Sequence, residues 1–76
     1  MDWTTLNKLS KQVKAMYPKG TVVESIFVDD IKAPPKGTRG VVTHVDDIGT
    51  VFVNWDDEKY VSGVLVLEKD RIRIIK

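Results

Sequence analysis

A change of period at residues 17–21 decides what this chain can fold into. Before it, Leu6, Leu9, Val13 and Met16 recur at the i, i+3, i+7, i+10 spacing that lines one face of a 3.6-residue helix. Trp3 extends that stripe, and Lys8 and Lys11 lie roughly opposite it. After it, TVVESIFV from Thr21 is rich in β-branched residues and reads as a strand. Pro18 disfavours helix at Tyr17, and Lys19-Gly20 completes the stop. The spacing predicts a helix over 3–16, with Asp2 as N-cap at the positive end of its dipole. At about four turns such a helix is unstable alone, so the rest of the chain must cover its stripe.

Everything after the switch is strand, turn or loop. The first strand ends at Asp29-Asp30, and residues 29–39 form a loop of about eleven residues, long for a hairpin connection. GVVTHV and TVFVNW follow, joined by Asp46-Asp47-Ile48-Gly49, whose glycine can take positive φ. Alternation puts Val51, Val53 and Trp55 in the core and turns Phe52 and Asn54 outward, so the N-terminal helix or a partner is expected to cover Phe52. Asp56-Asp57-Glu58 makes the next turn, Tyr60 to Leu67 a strand broken near Ser62-Gly63, and Arg71 to Ile75 a last strand. The expectation is a mainly β fold: a small five-stranded SH3-like β-barrel (residues 18–76) preceded by one amphipathic α-helix (residues 1–17), in one compact domain. Closure of the barrel would remove the sheet edges an open sheet leaves.

Composition narrows the chemistry. There is no cysteine among the 76 residues, so neither disulfides nor thiolate metal sites can staple the fold. A core in this size range supplies ~3–5 kcal/mol of net stability. The longest apolar run, Val64 to Leu67, is too short to cross a bilayer. Charged residues occupy the place of a signal peptide's apolar segment, which makes a cytoplasmic protein the expectation. Residues 1–39 hold seven Lys/Arg and four Asp/Glu, net +3, and residues 40–76 hold five and seven, net −2, giving the overall +1. That balance exerts no global pull toward nucleic acid.

The run from Tyr17 to Asp57 carries a dense set of signals: Tyr17-Pro18-x-Gly20-Thr21-x-Val23, Asp29-Asp30, Ala33-Pro34-Pro35-x-Gly37-Thr38-x-Gly40, Val42, Val45-Asp46-Asp47-x-Gly49, and Val53-x-Trp55-Asp56. This pattern resembles a family of small bacterial domains of unknown function found largely in phages and conjugative elements. The resemblance covers a little over half of the chain. It departs at Asp57-Glu58, where an Asn-Gly turn is usual, and at His44, where a small residue is usual. The C-terminal third matches through Asp70 and the final apolar strand. The resemblance implies a small β-barrel and carries no activity or site residues. Separately, Lys36-Gly37-Thr38-Arg39-Gly40-Val41-Val42 with Val45 is similar to the KOW motif of ribosomal and transcription-elongation proteins, which also forms part of an SH3-like barrel.

Catalysis is not expected. His44 is the one histidine, and Ser10, Ser25 and Ser62 lie in no nucleophile context. Three acidic pairs, Asp29-Asp30, Asp46-Asp47 and Asp56-Asp57, stand at strand ends, where aspartate starts turns by bonding nearby backbone N–H groups. No metal or cofactor is expected from them. On an SH3-like barrel, Asp29, Asp30, Asp46 and Asp47 would line one groove walled by Pro34 and Pro35, with Asp56-Asp57-Glu58 at the opposite end. Such a groove suits a basic protein surface. The leading expectation is therefore a non-enzymatic module of phage or mobile-element type that binds an unidentified protein and exists as a monomer or weak homodimer. The alternative is KOW-like nucleic-acid binding through Lys8, Lys11, Lys14, Lys36 and Arg39, with Phe52 or Tyr60 stacking on bases. The basic residues Lys19, Arg71 and Arg73 extend either side of that set.

Overall fold

Asp2 starts the single helix as its N-cap, accepting the Thr5 N–H at 2.8 Å on Oδ1. That bond holds the Asp2 carboxyl below its ordinary range. The computed structural model describes residues 2–76. Helix α1 spans Trp3–Met16 and ends where the X-Pro bond predicts, with Tyr17 out of helical geometry and its N–H still bonded to Val13 O at 2.9 Å.

The face that α1 buries is shifted from the expected stripe. Ser10, Val13 and Tyr17 are buried, Leu6 and Leu9 are half-buried, and Trp3 and Met16 stand 66% and 56% exposed. The face thus runs 6, 10, 13, 17, which is still a helical stripe. Ser10 is small enough to bring the helix backbone down onto the turn at Gly49, and its Oγ donates to Asn7 O at 2.9 Å. Gly49 has φ +83°, and a Cβ there would lie 2.6 Å from Leu67 Cδ1 and 3.7 Å from Ser10 Cα. The positive φ is what calls for glycine, while the Leu67 side-chain end could yield to a Cβ.

Five strands follow: β1 Val22–Phe27, β2 Arg39–Val45, β3 Val51–Trp55, β4 Gly63–Val64 and β5 Arg71–Ile74. They form one antiparallel sheet in the order β4-β3-β2-β1-β5. The first four make a meander, and β5 returns to pair with β1. Closure expected of a barrel is not seen: β4 and β5 lie at the two ends of the order, with no ladder joining them among the described residues. The expected strand from Tyr60 to Leu67 shrinks to Gly63–Val64, because residues 65–70 turn a corner in which the Glu68, Lys69 and Asp70 N–H groups all reach Leu65 O.

The core between α1 and the sheet is built mostly of valine. Val23, Val42, Val51, Val53 and Val64 are at or below 1% exposed, with Trp55 at 4% and Tyr17 at 8% as the large side chains. Gly40 of β2 makes room for Trp55: a Cβ on it would meet Val53 Cγ1 at 2.5 Å, Asn54 O at 2.8 Å and Trp55 Cε3 at 2.9 Å. The Trp55 indole N–H donates to Val61 O at 2.9 Å, which satisfies its polar edge and fixes the 56–62 segment.

Candidate functional site

The ladders place the sequence-derived site residues at two ends of the sheet. Glu24 opposite Arg39 and Gly40 opposite Trp55 put loop 28–38 and segment 56–62 together at one end. The Val61 N–H bonds Lys32 O at 2.8 Å and the Asp56 N–H bonds Arg39 O at 3.0 Å, tying the two loops. Turn 46–50 lies at the other end, against α1. Asp29 and Asp30 are therefore separated from Asp46 and Asp47, and Asp56-Asp57-Glu58 accompanies the first pair rather than opposing it. The four carboxylates do not line one groove. Pro34 is buried, with its carbonyl accepting the Ser25 hydroxyl at 3.3 Å, while Pro35 is exposed.

The carboxylates are also occupied. Asp30 Oδ1 accepts the Lys32 N–H at 2.8 Å, and Asp46 Oδ1 accepts the Ile48 and Thr50 N–H groups at 3.0 and 2.8 Å. Asp29 pairs with Lys69 at 3.4 Å and Asp47 with Lys14 at 3.0 Å. These are turn-forming and helix-docking roles. The basic set is divided too. Lys8, Lys11 and Lys14 ride on α1, while Lys36 and Arg39 lie at the other end of the sheet. Tyr60 is half-buried, with the Lys59 ammonium 5.3 Å from its ring centre. Among the described residues no group of three or more His, Asp and Glu side chains could hold a metal.

Asp70 is the residue that composition did not single out. It is 5% exposed; Oδ1 accepts the Asp29 N–H and Oδ2 the Leu65 N–H, both at 2.8 Å. One carboxylate thus binds the start of loop 28–38 to the corner before β5.

A second device lies on the outer face of the sheet. The β2–β3 register shifts between Val42 and His44: Val42 pairs with Val53, but His44 pairs with Phe52 and Val45 with Val51. Thr43 is the extra residue of a β-bulge. Under strict alternation His44 would share the inner face with Val42; the bulge turns it outward. There it stacks on Phe52 with ring centres 4.5 Å apart and planes 9° from parallel. The expectation that α1 covers Phe52 is therefore corrected: His44 covers it, and both rings stay on the open face. The Thr43 hydroxyl donates to Phe52 O at 3.2 Å and lies 3.1 Å from His44 Nδ1. Only the structure shows Val42 and Val45, three residues apart in one strand, both facing inward.

The same face carries a row across three strands. Glu24 stands opposite both Arg39 and Arg73, and its carboxylate bonds Arg73 at 2.9 Å. Arg39 makes no ion pair among the described residues and is exposed. Between this row and the stacked rings lie Val41, 42% exposed, and Asn54. At ~3.3 Å per residue, Arg39 and His44 are about 16 Å apart along β2.

Comparison with known families gives one result. A family model described as a domain of unknown function (DUF4314) matches residues 6–75, and the chain belongs to that family. No curated protein matches the chain. No solved structure matches it either. No helix among the described residues is long and apolar enough to cross a membrane.

Proposed function

We propose that the domain binds single-stranded nucleic acid on the outer face of its sheet. The observation that carries this reading is the His44–Phe52 stack, brought to the outer face of the sheet by the Thr43 bulge. Every base offers a π-face, so a base can extend the stack on the free face of the exposed His44 ring whatever its identity. Arg39 and the Arg73 side of the Glu24 pair lie about two nucleotide steps away and suit phosphates. His44 Nε2 and Asn54 offer polar atoms to a base edge. This retains the nucleic-acid reading but moves it off the lysines of α1. The strand order, a four-stranded meander with β5 beside β1, supports an SH3-like barrel left open between β4 and β5. The acidic-groove reading loses its support, because its carboxylates are split between two ends and already bonded.

Fluorescence anisotropy with a labelled oligothymidine, an oligouridine and a duplex of equal length tests this. The single strands should bind more tightly than the duplex. With two phosphate contacts the log–log salt slope is about −1.4, or roughly a sevenfold loss from 50 to 200 mM salt. His44→Ala should weaken binding by about 5-fold or more, since one stacked base is worth ~1–3 kcal/mol. Equal binding by His44→Ala, or no binding of single strands at low salt, rules the proposal out.

A further inference from the structure

The open cavity beneath the 65–70 corner lies between that corner, β5 and the C-terminal end of α1, and encloses about 370 Å³. That is within the size range of small-molecule sites, roughly 300–1,000 Å³. One wall is apolar, from Ile26, Val66 and Ile72, all half-buried. Ile26 comes to it through a second irregularity, the register shift between Ser25 and Phe27 in the β1–β5 ladder.

Tyr17 reaches the same cavity from the end of α1. Its side chain is only 8% exposed, yet its hydroxyl has no hydrogen-bond partner among the described residues. No buried side-chain oxygen or nitrogen is left sealed without a partner, so this hydroxyl keeps its access through the cavity. Burial also raises the Tyr17 pKa, so the phenol keeps its proton at neutral pH and can donate a hydrogen bond.

Four consecutive charged residues border the cavity: Glu68, Lys69, Asp70 and Arg71. Two are committed, Lys69 to Asp29 and Asp70 to the backbone of residues 29 and 65. Glu68 and Arg71 make no ion pair among the described residues. The available chemistry is thus one carboxylate, one guanidinium, one phenol donor and a branched-aliphatic wall. The charges sum to zero, so neither an anion nor a cation alone matches the lining.

We propose that this cavity binds a free aliphatic α-amino acid in its zwitterionic form. The ligand carboxylate meets Arg71 and the Tyr17 hydroxyl, the ammonium meets Glu68, and the side chain lies against Ile26, Val66 and Ile72. This site is on a different part of the molecule from the stacked rings and needs no nucleic acid.

The test is an NMR titration of the ¹⁵N-labelled protein with leucine, N-acetylleucine and leucinamide, the last two each lacking one ligand charge. Leucine should give saturating shifts at residues 17, 26 and 66–72, with a millimolar dissociation constant. N-acetylleucine and leucinamide should each bind about 10-fold more weakly. Arg71→Gln should abolish the preference for leucine over leucinamide, and Glu68→Gln the preference over N-acetylleucine. Both positions are exposed, so these variants keep the fold, and their spectra report it directly. Tyr17→Phe should weaken leucine binding several-fold. Absent or non-saturating shifts for leucine overturn the proposal. So do equal affinities for all three ligands, or variants that bind as the parent does.

Discussion

Replacing Asp70 tests whether one buried carboxylate holds the two halves of the chain together. Its oxygens accept the Asp29 and Leu65 N–H groups at 2.8 Å each, across sequence separations of 41 and 5 residues. A hydrogen bond to a charged group is worth ~1.5–3 kcal/mol, and a donor left buried costs a similar amount. Both donors are only partly buried, so water reaches them after truncation and the lower end of the range applies. Asp70→Ala should therefore cost about 3 kcal/mol. Asp70→Asn keeps the shape but turns an NH₂ toward one of the two donors, and should cost about half as much. Against a net stability of ~3–5 kcal/mol, the alanine variant would be close to its unfolding midpoint in water. Urea titration followed by Trp55 fluorescence, in a Trp3→Phe background, gives the readout, since Trp55 is 4% and Trp3 66% exposed. With m near 1 kcal/mol/M for a chain this short, the midpoint should fall by roughly 3 M for alanine and 1.5 M for asparagine. A fall below about 0.5 M for Asp70→Ala would refute the tie.

Three further outcomes follow from the packing and the titration of named groups. Gly40→Ala should cost ~1–3 kcal/mol or more in thermal melts, because its new Cβ meets the fixed carbonyl of Asn54 at 2.8 Å as well as two core side chains; an unchanged Tm refutes this. Burial raises the Tyr17 pKa above 10.0, so the folded state holds that proton more tightly than the unfolded chain does. The associated stability is whole below the unfolded value and is lost as pH climbs through it toward the folded one. Tyr17→Phe should therefore flatten the alkaline limb of a stability–pH profile above pH ~10, and parallel profiles would count against it. Helix docking should depend on Val13 rather than on the Lys14–Asp47 pair: Val13→Ala should cost about 2 kcal/mol, and Lys14→Ala, with side chains 43% and 88% exposed in the pair, well under 1 kcal/mol. Chemical denaturation of the two variants checks the order, and the reverse ranking would refute it.

Much of the architecture was legible because local rules carried it. The Pro18 stop, the Asp2 cap, the Asp46-to-Gly49 turn and the inward set Val51, Val53 and Trp55 all follow from short-range chemistry, and each appears in the structure. Three features were not legible, for a common reason. The helix face rotated to Ser10 because a small residue facing Gly49 allowed close approach, which hydropathy does not register. Residues 65–70 became a corner because Asp70 is bonded across the fold, a contact no window of sequence contains. His44 pointed outward because one extra residue at Thr43 inverted the phase of β2. The candidate site was therefore less readable than the fold. Lysines and aspartates drew attention as charges, whereas the structure uses the aspartates as turn formers and turns outward a stacked pair, His44 exposed and Phe52 half-buried, that alternation hides.

The position of β1 in the sheet has a consequence for how the chain reaches this state. β1 pairs on one side with β2, close in sequence, and on the other with β5, where Glu24 and Arg73 are 49 residues apart. Until residues 71–74 arrive, β1 (VVESIF) presents an unpaired edge with apolar residues on both faces, open to association with another chain. The hairpin of β2 and β3 joins neighbours in sequence, whereas the β1–β5 pairing closes a separation of 49 residues and carries the larger loop-closure cost. Chaperone demand and aggregation during synthesis should accordingly track the rate at which the Arg71–Ile74 segment is delivered, rather than the stability of the finished sheet.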